Sequence, residues 1–85
     1  MQLNVLRQQI EAIDKEIIKQ LAIRQDLCRQ IGKLKKAKHI SIEDPNREGE
    51  LFALYSLLAK QYDLNISYVE KIFALIINES RKIQL

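Results

Sequence analysis

Apolar residues recur along the first part of the chain at intervals of three and four, with one step of six between Leu21 and Leu27: Leu3, Leu6, Ile10, Ile13, Ile17, Leu21, Leu27, Ile31 and Leu34. That is the period of one face of an amphipathic helix. No breaker precedes Gly32, which lies in a lysine-rich continuation and reads as tolerated. The spacing predicts a first helix over roughly residues 3–37, on the order of 50 Å long. The period fails between Lys38 and Glu43, and Asp44-Pro45 then supplies a capping carboxylate followed by proline at the first helical position. A second helix is expected from Pro45 to about Gln61, with Leu51, Leu54, Tyr55 and Leu58 on its inner face. After a short connection at Tyr62-Asp63-Leu64-Asn65, Ser67 with Glu70 reads as a capping box. Val69, Ile72, Phe73, Ile76, Ile77 and Ile83 give the third helix its buried face.

The fold class is therefore all-α, three helices in one small domain covering residues 1–85. Two glycines and one proline in the whole sequence agree with that. A compact globule of this length is only about 30 Å across, so the first helix overhangs its own chain. Its apolar stripe needs another cover, and a second copy in a symmetric, intertwined homodimer is the economical one.

Composition narrows the chemistry. Hydrophobic residues make up 47% and charged residues 29%, the balance of a folded globular protein. One cysteine excludes an internal disulfide, and with one histidine it leaves too few soft ligands for a structural zinc site, so no metal is expected. Cys28 reads as a small hydrophobe at a helix interface and His39 as a loop residue. The apolar runs are far short of the roughly 20 residues that cross a bilayer. The N-terminal residues lack the basic, apolar and small-residue regions of a secretory signal, and a cytoplasmic chain without a membrane partner is expected. Fourteen Lys and Arg against eleven Asp and Glu give a net charge of +3, concentrated mildly at Lys33, Lys35, Lys36 and Lys38. A lysine-rich helix end suits the macrodipole and does not require nucleic acid.

Polar residues that interrupt the apolar stripes carry the functional signal. In the first helix the series Leu3, Ile10, Ile17, Ile31 passes through Arg24. In the third, Ile66 and Phe73 lead to Ser80, with Gln84 one turn further on. In the second, Arg47 falls on the stripe of Leu51, Leu54 and Leu58, and Glu48 lies at its edge. Each has an ordinary reading as a backbone-bonded serine, a solvated glutamine or a surface ion pair, but their coincidence on three helices points to a polar interior site. Arg24 and Lys35 are about 20° apart around the helix and roughly 16 Å apart along it, so their long side chains can converge on one small ligand. Arg7 lies about 25 Å from Arg24 on the same helix and reaches that ligand only from a partner subunit.

These residues bring the sequence into register with a known family. Leu6-Arg7-Gln8-Gln9-Ile10-Glu11-Ala12-Ile13-Asp14, Arg24, Ile31-Gly32-Lys33-Leu34-Lys35, Asp44-Pro45-Asn46-Arg47-Glu48 and Ile76-Ile77-Asn78-Glu79-Ser80 with Gln84 resemble the all-helical AroQ-class (type II) chorismate mutases over essentially the whole length. The resemblance implies an intertwined dimer of three-helix subunits and the rearrangement of chorismate to prephenate, a step of phenylalanine and tyrosine biosynthesis, without a cofactor. It also implies roles. Arg7 of the second subunit and Arg24 grip the two carboxylates, and Lys35 and Gln84 donate to the ether oxygen. Glu48 and the Asp44 backbone hold the ring hydroxyl, and Arg47 and Ser80 complete the contacts. On the same scaffold, isochorismate pyruvate lyase and aminodeoxychorismate mutase are alternatives. Of another class is a non-catalytic dimerisation or nucleic-acid-binding module, which leaves Arg24, Arg47 and Ser80 unexplained.

Overall fold

A computed structural model describes residues 2–85. Three helices follow in order: α1 (Gln2–Ala37), α2 (Pro45–Gln61) and α3 (Ile66–Gln84). The limits of α1 and α2 agree with those expected from the apolar period and from Asp44-Pro45. The Asp44 carboxylate accepts from the Arg47 amide at 3.1 Å, and Pro45 fills the first turn. The start of α3 differs from expectation. Asn65, not Ser67, is the cap, its Oδ1 accepting from the Tyr68 amide at 2.9 Å, while Glu70 turns to the Ser56 hydroxyl at 3.5 Å. Asparagine caps as well as serine does, so the earlier of two competent residues begins the helix.

α1 and α2 end alike. The Ile40 amide donates to the Lys35 carbonyl and the His39 amide to that of Lys36, while Leu64 and Asp63 repeat the pattern on Ala59 and Lys60. Each is a Schellman closure that needs a left-handed residue after the cap. His39 and Asp63 supply it, both with φ of 55°.

α3 packs against both other helices. Its core with α2 consists of Tyr55, Ala59, Val69 and Ile77, flanked by Leu51, Phe52, Ile66 and Phe73. The Tyr55 and Phe73 rings stack at 3.9 Å, and Phe52 meets Tyr55 edge-on at 5.6 Å. Leu54, Leu58 and Ile72, expected inside, are exposed, because α2 meets only α3 and each helix keeps an open flank.

α1 contributes only Cys28 and Gly32 to the buried set. Gly32 is not merely tolerated, since a Cβ there would stand 2.7 Å from the Gln84 carbonyl oxygen and 2.8 Å from its Cα. The missing side chain is what admits the last turn of α3. The opposite end of α1 is open to solvent, and residues 2–20 are all exposed. Leu3 at 58%, Ile10 at 57% and Ile13 at 59% lie on an open apolar stripe. The molecule is accordingly elongated, 56 Å along its principal axis, with a radius of gyration of 16.0 Å, against about 12 Å for a compact chain of this size. Among the described residues no helix is long and apolar enough to cross a membrane.

Candidate active site

Where the C-terminal half of α1, the start of α2 and the end of α3 meet, they enclose a cavity of about 440 Å³. Arg24 and Lys35 reach it from α1, Asp44, Arg47 and Glu48 from the start of α2, and Ser80 and Gln84 from α3. Seven of the eight residues expected from sequence thus line one space. Arg7 does not, being exposed on the unpacked end of α1. Leu27, Ile31, Leu51 and Ile77 supply apolar wall, so the charged groups sit against low-dielectric surface.

The polar contacts hold the side chains in set directions. Arg24 Nη1 donates to Ser80 Oγ and, at 3.7 Å, to Cys28 Sγ. Of five guanidinium hydrogens, the two on Nη2 and the one on Nε stay available as a fork. The Ser80 hydroxyl donates to the Ile76 carbonyl at 2.8 Å. Its proton is therefore committed to its own helix, and its lone pairs face the arginine. Ser80 is nonetheless buried, and it fixes Arg24.

Lys35 Nζ donates to the Ile42 carbonyl at 2.9 Å. One of three ammonium hydrogens is used, and the other two remain for a ligand. The Gln84 side chain has a buried Oε1 with no hydrogen-bond partner. Because the amide oxygen and nitrogen exchange by a half-turn, this is a buried polar terminus kept open in a cavity wall. A buried polar atom without a partner is costly, and a ligand with a complementary atom removes the cost.

Two findings depart from expectation. The Arg47 side chain, 61% exposed, reaches out to Glu50 at 3.2 Å instead of inward along the stripe of α2, although the residue still borders the cavity. Arg81, not singled out from sequence, also lines the space and forms a two-pronged pair with Glu48, Nε to Oε2 at 3.1 Å and Nη2 to Oε1. Arg81 lies one turn before Gln84 but breaks no apolar series, and its pairing with Glu48, 33 positions away, arises only from packing.

The cavity carries the cations Arg24, Lys35, Arg47 and Arg81 against the carboxylates Asp44 and Glu48, a surplus of two positive charges. Among the described residues there is no group of three or more His, Cys, Asp or Glu that could hold a metal ion. Cys28 is buried and, beyond the Arg24 contact, adjoins no base that would make it a nucleophile. What the arrangement can do is bind a small anion of about two charges and fix its orientation through several hydrogen bonds.

An elongated all-helical chain with a cationic, half-apolar pocket at a three-helix junction defines a class of small-molecule-binding helical proteins, and comparison with known proteins narrows the class. Residues 6–85 match the family described as chorismate mutase type II, and the chain belongs to that family. Among similar proteins, the bifunctional chorismate mutase/prephenate dehydratase of Escherichia coli is 35% identical over 75 residues, covering 88% of this chain and 19% of that protein. The protein of the same name from Buchnera aphidicola is 37% identical over 76 residues, 89% of this chain and 20% of its own. A chorismate mutase from Methanocaldococcus jannaschii is 29% identical over 79 residues, 93% of this chain and 80% of its own. The chain spans about a fifth of the length of the bifunctional relatives.

Proposed function

We propose that the chain is a chorismate mutase of phenylalanine and tyrosine biosynthesis, acting as a homodimer. The observation that carries the reading is the convergence of Arg24, Lys35, Glu48, Ser80 and Gln84 from three helices on one cavity with two surplus positive charges. Chorismate is a dianion, and its rearrangement forms one carbon–carbon bond as it breaks one carbon–oxygen bond within a single molecule. No nucleophile, cofactor or proton transfer is required. The protein has two tasks, to fold a flexible dianion into a compact reactive geometry and to stabilise negative charge that grows on the ether oxygen.

The free edge of Arg24 takes one carboxylate in its fork, a geometry that sets orientation as well as position. Lys35 Nζ, steadied by the Ile42 carbonyl, and the Gln84 amide, open in the wall, donate to the ether oxygen. Glu48 accepts from the ring hydroxyl beside the Asp44 backbone, and Arg47 completes the rim. Because charge develops at the ether oxygen only on the way to the transition state, Lys35 and Gln84 act on kcat more than on binding. Losing one such donor typically costs about 3 to 4 kcal/mol, or roughly 100- to 1000-fold in rate.

The dimer supplies what the single chain lacks. The open stripe of Leu3, Leu6, Ile10, Ile13 and Ile17 suits the same stripe of a second copy. Such a copy also brings an Arg7 to the second carboxylate, which is out of reach within one chain. The decisive experiment incubates the purified protein separately with chorismate, isochorismate and aminodeoxychorismate and identifies the products. Prephenate from chorismate supports the reading. Pyruvate from isochorismate alone, turnover of the amino analogue alone, or inertness towards all three overturns it in favour of a lyase, an amino-substrate mutase or a non-catalytic module.

A further inference from the structure

Arg81 is the one cation of the cavity with no part in the chemistry set out above. Its guanidinium spans from the last turns of α3 to the first turn of α2 and engages both oxygens of Glu48, Nε to Oε2 at 3.1 Å and Nη2 to Oε1. Glu48 is the more enclosed partner, its side chain 23% exposed against 39% for Arg81. An ion pair this close to solvent adds little to folding stability, and Glu48 already sits in the first turn of α2, where the helix dipole favours a carboxylate. Stability therefore does not account for a fork on this carboxylate.

Function does. An unneutralised carboxylate in a pocket for a dianion would repel the ligand, and one without a partner would turn between rotamers. Each carboxylate oxygen has two lone-pair sites. The fork occupies one on each oxygen and leaves the others for a hydroxyl in the cavity. Resting on the mutase reading of this site, we propose that Arg81 is a positioning residue, which neutralises Glu48 and aims it at the substrate's ring hydroxyl without touching the substrate itself. The same fork ties the start of α2 to the turn that carries Gln84, three residues further on, so the hydroxyl acceptor and the ether-oxygen donor share one rigid link.

The test is a double-substitution cycle in the full chain, read as kcat/KM for chorismate, with thermal melts alongside. Arg81→Gln lowers kcat/KM by between about 10- and 100-fold in the parent, the range for a displaced orienting group. In a Glu48→Gln background the same change costs less than about 3-fold, because partners that act through one another are not additive. Arg81→Lys falls between, keeping the charge and losing the fork, and it carries the same comparison should Arg81→Gln not fold. Equal losses in both backgrounds would mean that Arg81 grips the substrate directly, and they overturn the proposal, as does an Arg81→Gln variant with parental kcat/KM. A parent chain inert towards chorismate overturns the mutase reading and this role together. An active parent with equal losses overturns the role of Arg81 alone.

Discussion

Replacing Gly32 by alanine separates packing from catalysis at one position. In an ordinary helix interior the change is stabilising by about 1 kcal/mol, through the lower backbone entropy of alanine. Here the new Cβ would lie 2.7 Å from the Gln84 carbonyl oxygen and 2.8 Å from its Cα. Non-bonded carbon atoms rest at about 3.5 to 4.0 Å, so the last turn of α3 must retreat by about 0.7 Å or more. Overpacking of this kind costs about 1 to 3 kcal/mol. Set against the propensity gain, the net loss of stability is about 0 to 2 kcal/mol. The retreat falls on the residue that carries the open amide, and a misplacement of about 1 Å is worth up to 100-fold in rate.

The expected result is a folded Gly32→Ala protein with kcat reduced about 10- to 100-fold and stability changed by no more than about 2 kcal/mol. Urea unfolding at fixed protein concentration and steady-state kinetics with chorismate measure the two quantities. Gly49→Ala is the internal control. A Cβ there meets nothing within 4 Å, so that variant gains up to about 1 kcal/mol and keeps its activity. A Gly32→Ala protein that behaves like the control, more stable and fully active, would refute the claim that the close approach of α1 and α3 sets the position of Gln84.

Mixing inactive Arg7→Ala and Arg24→Ala chains in equal amounts and refolding them together should restore about a quarter of parental activity, since half the dimers are mixed and each carries one intact site. Recovery of no activity in the mixture counts against a site shared between subunits. Gln84→Glu should turn a pH profile that is flat near neutrality into one that rises as pH falls, because a carboxyl group donates to the ether oxygen only when protonated; a profile overlaying that of the parent contradicts the donor role. Asp63→Gly should raise stability by about 0.5 to 1 kcal/mol, relief of the left-handed strain exceeding the entropy of glycine. An unchanged or lower urea midpoint would show that the aspartate side chain compensates locally.

The helices were legible because their signals are local. The three-and-four spacing from Leu3 to Leu34 needs only a window of a few turns, and Asp44-Pro45 marks a start by the chemistry of two adjacent residues. Ser67 misled because two residues within one turn could cap, and their ranking depends on backbone geometry that composition does not carry. The site was visible where polar residues broke an apolar series, as Arg24 and Ser80 do, and their hydrogen bond joins residues 56 positions apart. Arg81 escaped because it breaks no series. Its meaning comes from Glu48, 33 positions away, and only packing brings the two together. Gly32 escaped for the same reason, as its lack of a side chain matters only when Gln84 lies against it.

The one expected site residue absent from the cavity, Arg7, lies on the same segment, residues 2–20 of α1, as the exposed apolar residues Leu3, Leu6, Ile10, Ile13 and Ile17. This is what a shared site requires. A helix that packed its whole stripe against its own chain would hold Arg7 about 25 Å from Arg24 and could never deliver it. A helix left bare over that half instead carries the arginine on a surface whose burial drives association. On the proposed dimer, the free energy that covers Leu6, Ile10 and Ile13 is the same free energy that places the second carboxylate clamp. The α2–α3 core, with Tyr55 stacked on Phe73, lies beside the half of the cavity that one chain builds alone. In that dimer, folding within the chain and association between chains would fix different parts of one pocket, and neither alone would suffice for turnover.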